Sequence, residues 1–259
     1  MTIIKLINIS LIIFFISCST KNIKIEEDLQ KKYDKGVEFF NKKKYSRSAE
    51  EFKFIIMNDP GSEIARNSQY FLGESLYLQD EFIDAAIAFD QFARFPTNKF
   101  SIESARFRVC ECTFKSSRKF NQDQSNSLDA IDQLQYFIED FPLSERIEAA
   151  NDMINKLRSK IAQKDFETGR LYLKLEEYDA AIIYFQQVLN KYYDTSYADE
   201  ARISIIFTHL LNNNIRGAES YYKTEKTRFQ SKQKIKEAEL LLDNNKRKIK
   251  MAELIRLYK

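Results

Sequence analysis

Apolar residues fall along this chain in three patterns. The first is a short block at the start, Leu6 to Cys18, broken only by Asn8, Ser10 and Ser17. It is too short to cross a bilayer, which takes about 20 apolar residues. The second fills most of the chain and repeats. Gly36 is followed 37 residues later by Gly73, and in the same frame Tyr45 falls on Phe82, Ala49 on Ala86 and Phe52 on Phe89. Ala181 and Ala218 are also 37 apart, and Gly169, Tyr172, Tyr178, Ala181 and Phe185 keep the same order. Such a period marks a stack of supersecondary units. Each unit predicts helix, short turn, helix. Glycine lets the two helices approach closely. The small residue twelve positions on (Ser48, Ala85, Ala181) packs beneath it, and the aromatic four further on fills the space between hairpins. The third pattern is a terminal helix over 235–258. Its apolar positions Ile235, Ala238, Leu241, Leu242, Ile249, Ala252 and Ile255 form one face suited to covering the last repeat.

The prolines agree with these units. Asp59-Pro60, Phe95-Pro96 and Phe141-Pro142 each follow a helical run. Proline lacks an N–H and disfavours helix at the residue before it, so each ends the second helix of a unit. Unit three is irregular. Its first helix, about 100–116, is separated by a polar insertion, Ser116 to Ser127, from a second helix marked by Ala130, Leu134 and Phe137. Unit four runs from Gly169 to Val188. Unit five pairs Ala201–Leu211 with Ile215–Phe229.

Composition supports an all-α class. Five Gly and three Pro leave little room for the turns of a β-sandwich or a Rossmann fold, and 35 Phe and Tyr with no Trp suit aromatic packing between helices. The formal net charge is +3, which does not mark a nucleic-acid binder. Charge is uneven, however: residues 223–259 hold twelve Lys/Arg against five Asp/Glu. That end could meet an acidic partner or lipid headgroups, or be a solvated helix face.

Candidate chemistry is sparse. The sequence has no Gly-rich phosphate loop, no His-Glu-x-x-His and no cysteine pairs at zinc spacing. Ser116-x-x-Lys119 matches the nucleophile motif of penicillin-binding enzymes but lacks its Ser-Asp-Asn and Lys-Thr-Gly companions. His209, the one histidine, cannot build a metal site alone. Cys110 and Cys112 stand two apart on a helix, on different faces, and read as core thiols. Binding without catalysis, cofactor or metal is therefore expected.

Lys5, the apolar block, Ser17 and then Cys18 resemble a bacterial lipoprotein signal; an ordinary signal peptide with a nearby cysteine is the alternative. The resemblance implies cleavage after residue 17, diacylglyceryl on the Cys18 thiol and an acyl group on its new amine. It also implies a tether over 18–26; the repeat pattern then gives a repeat domain over 27–229, and the charge pattern a basic helix over 230–259. Ser19 is compatible with passage to the outer membrane.

The units resemble the tetratricopeptide repeat, with Gly36, Phe39, Ser48, Phe52, Ile55 and Pro60 at that family's spacing, then Gly73, Leu76, Ala85, Phe89 and Phe92. The likeness implies a right-handed solenoid of about five hairpins plus a C-terminal helix, its groove lined by the first helices. By that family's groove positions, Tyr33, Val37 and Phe40 line unit one, Tyr70, Glu74 and Tyr77 unit two, and Phe166, Arg170 and Leu173 unit four. Some of these side chains could instead pack against the next hairpin.

Local matches go further. Phe92-Ala93-Arg94-Phe95-Pro96-Thr97, Ala130 to Phe137, Phe141-Pro142-Leu143-Ser144 with Ala149-Ala150, Leu157-x-x-Lys160-Ile161-Ala162, Gly169-Arg170-Leu171-Tyr172 and Tyr193-Asp194-Thr195 with Glu200-Ala201 resemble the BamD family. These are lipoproteins of the outer-membrane β-barrel assembly machinery. The chain departs from them at Ser116–Gln122, at Tyr193 where Pro is usual, and in its basic C-terminal extension. The resemblance implies lipid anchoring on the periplasmic face of the outer membrane. It also implies docking of the periplasmic domains of the barrel-forming subunit by the C-terminal repeats, with Phe166 and Arg170. The N-terminal groove, with Tyr33, Phe40, Tyr70, Glu74 and Tyr77, would bind unfolded outer-membrane proteins. A pilus or secretin assembly lipoprotein with the same repeats is the alternative partner class, and an envelope enzyme with accessory repeats a third.

Overall fold

The structure, a computed structural model, describes residues 27–95 and 99–246. The signal block, Cys18, the tether, Pro96, Thr97 and the terminal positions Ile249, Ala252 and Ile255 lie outside them. Among the described residues every regular element is a helix. Helix α1 spans 27–41. It is followed by α2 (Tyr45–Asn58), α3 (Glu63–Tyr77), α4 (Phe82–Arg94), α5 (Lys99–Ser116), α6 (Ser125–Asp140), α7 (Ile147–Lys174), α8 (Tyr178–Lys191), α9 (Tyr197–Leu211), α10 (Ile215–Glu225), a single 3-10 turn (Lys226–Arg228) and α11 (Lys232–Lys246). Of the described residues, those from 27 to 117 together with 132–150 form one compact unit. Residues 118–131 with those from 151 onward form a second.

In the first unit the predicted hairpin packing is present in atomic detail. A Cβ placed on Gly36 would lie 2.9 Å from the Phe52 ring, and on Gly73 2.7 Å from that of Phe89. The aromatic sixteen residues on therefore lies flat against glycine within its own hairpin. Ser48, twelve residues after Gly36, is buried and donates to the Gly36 carbonyl at 3.0 Å, while Ser75 donates to Ser48 at 3.1 Å. These bonds satisfy hydroxyls that would be costly to bury alone. The core gathers Leu29, Phe52, Ile55, Leu72, Leu76, Ala85 and Phe89, with Cys112 at its edge.

The turns repeat too. Lys43, Asp80, Glu176 and Asn213 all have φ between 55° and 61°, and the first and last pairs are 37 residues apart. At each, the next residue's N–H reaches back five positions, as Lys44 does to Phe39 (2.8 Å) and Glu177 to Tyr172 (3.0 Å). This is the left-handed cap that ends a helix without proline.

In the second unit Gly169 meets Phe185 as Gly36 meets Phe52, with a would-be Cβ contact of 2.6 Å. The fifth hairpin differs. Ile206 stands where the register asks for glycine and is buried, and Tyr222 sixteen residues on turns out to bond Glu239 at 2.7 Å. The predicted helix Ile215–Phe229 is shorter: α10 ends at Glu225, the 3-10 turn follows, and Phe229 takes extended backbone to enter the core. There it meets Ile203, Phe207, Leu210, Ala238 and Leu241, so α11 does cover α9 and α10. A buried ionic set fixes this corner. Arg202 donates to Asp199 (3.1 Å) and Glu225 (3.3 Å), and the Asp199 carboxylate accepts the N–H groups of Gln230 and Ser231 just ahead of α11.

Candidate functional site

Helices α1, α3 and α5 carry the groove positions of the first unit. Tyr33 and Phe40 of α1 both meet Phe71 of α3 edge-on, at 5.9 and 5.6 Å, and Phe71 stacks on Phe52 at 5.4 Å. Tyr33 is half-buried, and burial raises its hydroxyl above the ordinary tyrosine range. Tyr70 rests on Phe89 (5.5 Å) and Phe92 (5.3 Å). Burial first, and then the Glu74 charge, push its hydroxyl up. Tyr77 meets Phe82 at 5.4 Å.

One residue joins α3 to α5. Arg108 gives Nε and Nη2 to the two oxygens of Glu74, 2.8 Å each, and Nη1 to Glu111 at 2.7 Å. Its guanidinium also lies 3.9 Å from the Tyr77 ring centre. The side chains of Arg108, Glu74 and Glu111 keep only 18%, 19% and 25% of their surface, so this fork is better shielded than a surface pair. Burial works against the charge of Arg108, but Glu111 and Glu74 outweigh it and hold the group cationic. Of the predicted residues, Tyr70, Glu74 and Tyr77 thus share one cluster, and Tyr33 with Phe40 form the neighbouring one. Sequence reasoning missed Phe71, Arg108 and Glu111. The signal was available: Phe71 and Arg108, like Glu74 and Glu111, are one 37-residue period apart.

In the second unit Phe166 is buried against Phe185 (5.5 Å) and Tyr197 (5.6 Å). Arg170 is half-exposed and pairs with Glu167 at 3.0 Å. Leu173 packs partly against the α9–α11 core.

What this surface offers is aromatic rings around a salt-bridged fork, with no aligned nucleophile and base. Cys110 and Cys112 are buried free thiols, pushed up to about 12 by burial, and so are inert at neutral pH. The Ser116 hydroxyl donates to the Thr113 carbonyl. Burial lowers His209 below the ordinary range. No cluster of three metal-ligating side chains occurs among the described residues.

The chain is similar to known proteins over most of its repeats. The outer membrane protein assembly factor BamD of Rickettsia prowazekii is 26% identical over 69% of this chain and 71% of its own. Its namesake in Caulobacter vibrioides is 24% identical over 71% of this chain and 61% of its own, and that in Neisseria meningitidis serogroup A 22% over 76% and 80%. A tetratricopeptide repeat protein from Parabacteroides merdae aligns with 84% of this chain and all of its own, at 14% identity and a TM-score of 0.28, too loosely to add to the fold. The family described as outer membrane lipoprotein, YfiO, matches residues 26–222, from the first turn of α1 into α10, and the chain belongs to it.

Proposed function

We propose that this protein is an assembly factor for outer-membrane proteins that works by binding and performs no chemical step. The family and the names of its relatives support that class of role. In this reading the acylated Cys18 holds the protein on the periplasmic face of the outer membrane. The C-terminal repeats, Arg170 among them, dock the periplasmic domains of the barrel-forming subunit. The α1–α3–α5 surface receives unfolded outer-membrane proteins.

The observation that carries the last step is the Tyr70–Glu74–Tyr77 row of α3, held by Arg108. Rings fixed in place lose little entropy when a partner lands on them, and aromatic and arginine side chains dominate protein recognition. An extended segment could lay alternate side chains between Tyr70 and Tyr77. The test is the double variant Tyr70→Ala/Tyr77→Ala, titrated with a peptide copying the aromatic-ended terminal strand of an outer-membrane barrel. Affinity should fall about tenfold or more. Unchanged affinity in a protein with normal helical content would sink the reading. Tyr70→Phe, which keeps the packing on Phe89 and Phe92, separates loss of contact from loss of fold. Gentle detergent extraction addresses the partner: a barrel-forming subunit should co-purify, and a secretin in its place would redirect the assignment.

A further inference from the structure

The α1–α2 hairpin has two faces of different character. Inward, Tyr33 and Phe40 of α1 turn onto Phe71 of α3. On the other side, among the described residues, no earlier hairpin covers it. That outer face alternates rings and cations. Lys32 lies 4.1 Å from the Phe54 ring centre, and Lys35 and Arg47 flank the Phe39 ring at 5.5 and 5.9 Å. Phe54 is 43% exposed, and Met57, one turn on, is 80% exposed. The turn is the most basic stretch of the hairpin: residues 39–49 hold Lys42, Lys43, Lys44 and Arg47 and no acid. Lys42 pairs with Glu38, but Lys43, Lys44 and Arg47 form no ion pair among the described residues. With Ser46 these three border a shallow hollow of about 390 Å³.

We propose that this outer face lies on a bilayer surface that carries anionic phospholipid. The placement depends on the Cys18 anchor of the proposed function. From Cys18 to the start of α1 the chain reaches at most about 32 Å. From there α1 runs about 23 Å to the basic turn, so an anchored chain can lay the hairpin along the lipid. Charge selects the lipid. Six cations of the face (Lys32, Lys35, Lys42, Lys43, Lys44 and Arg47) stand against Glu38 and Glu51, with Asp28 and Glu50 at its margins. Glu51 is bound by both Lys32 (3.0 Å) and Lys35 (2.6 Å), and Glu38 by Lys42, so the surplus collects at the turn. Each cation held near an anionic membrane surface gains about fivefold in binding. The rings select a membrane over a soluble anion. Phe54 and Met57 would enter the headgroup layer while the lysines and arginine reach the phosphates above them. A free phosphate would use the cations and leave both apolar side chains in water. The groove face of α1, with Tyr33 and Phe40, stays open to a protein partner.

The chain has no tryptophan, so Met57→Trp makes a single reporter on the face, at a side chain too exposed to carry packing. Leu143→Trp, on the turn after α6, is the control: Leu143 is 97% exposed, and the next residue, Ser144, bonds Glu103 of α5. The full chain, taken from membranes in detergent, is reconstituted into phosphatidylcholine vesicles with or without about 30% phosphatidylglycerol, with bromine on the acyl chains as quencher. Met57→Trp should be quenched about twofold more, or better, when phosphatidylglycerol is present, and Leu143→Trp equally in both. Salt at about 0.5 M should remove the difference. On the Met57→Trp background, Lys43→Glu/Lys44→Glu/Arg47→Glu should remove it too, at normal helical content, since all three side chains are exposed. Flotation of the vesicles separates the anchor from the face. A chain that floats with both vesicles but shows no such difference in quenching overturns the face and leaves the anchor. A chain that floats only with phosphatidylglycerol supports the face and overturns the anchor, and one that floats with neither overturns both. The proposal also fails if the triple variant is quenched like its parent.

Discussion

At the scale of single residues, the glycine–aromatic contact decides how each hairpin closes. Ordinarily Gly→Ala in a helix gains about 1 kcal/mol. At Gly73 the added methyl would sit 2.7–2.9 Å from three Phe89 ring atoms, closer than any relaxed contact. Phe89 is fully buried, with Tyr70 against one side at 5.5 Å, so the ring has little room to move. Overpacking of this kind costs about 1–3 kcal/mol, and the clash outweighs the propensity gain. Gly73→Ala should therefore destabilise the protein by up to about 2 kcal/mol in urea denaturation. Adding Phe89→Leu should recover part of that loss, because a smaller side chain makes room. If Gly73→Ala stabilises the protein, the contact does not set the hairpin geometry. Ile206 shows the other solution to the same problem: where the glycine is absent, the aromatic Tyr222 moves outward to Glu239.

At the scale of elements, the last helix is held by ions as well as apolar packing. Arg202 has about 7% of its side chain exposed and is the cation between Asp199 and Glu225, whose own exposures are 8% and 11%. Removing it takes the cation from the buried Asp199 and leaves Glu225 to the exposed Arg228 (2.9 Å), a loss of about 3–5 kcal/mol in comparable settings. Arg202→Met should lower stability on that scale. It should also speed amide exchange in α11, because Asp199 would no longer be oriented on the Gln230 and Ser231 N–H groups. Exchange in α11 as slow as in the parent would show that apolar burial of Ala238 and Leu241 alone is enough. This corner also marks where the sequence stops being readable. Gly36, Ser48 and Phe52 lie within one hairpin at fixed spacing, so their packing leaves a periodic trace. Asp199 and Gln230 are 31 residues apart, and Arg108 and Glu74 are 34 apart, in pairings made between hairpins by side chains free to choose several partners. The period marks Arg108 and Glu111 as equivalents of Phe71 and Glu74, but it does not say which side chains pair. Phe166 is an instance of the packing alternative open to groove positions: Phe185 of α8 and Tyr197 of α9 both pack against it.

At the scale of the whole molecule, the proposed membrane attachment rests on Cys18, which lies outside the described helices. None of them is long and apolar enough to cross a bilayer. Hairpins that bury their apolar faces against their neighbours, as in the two cores here, need no lipid to fold. The family is one of outer membrane lipoproteins, and in the function proposed above Cys18 carries the acyl groups. One acyl chain alone gives marginal binding, at about 0.8 kcal/mol per buried CH₂, whereas the diacylglyceryl and amide groups of this class together hold firmly. Cys18→Ala should thus move the protein out of the membrane pellet with its helical content unchanged. Docking to a membrane partner could mask that release, so the membranes are washed with alkaline carbonate, which strips proteins held by contact and leaves those held by lipid. The parent should stay in the washed pellet and the variant should leave it. A variant that resists the wash would show that Cys18 is not the anchor, and the basic stretch beyond residue 246, rich in lysine and arginine, would be the next place to look.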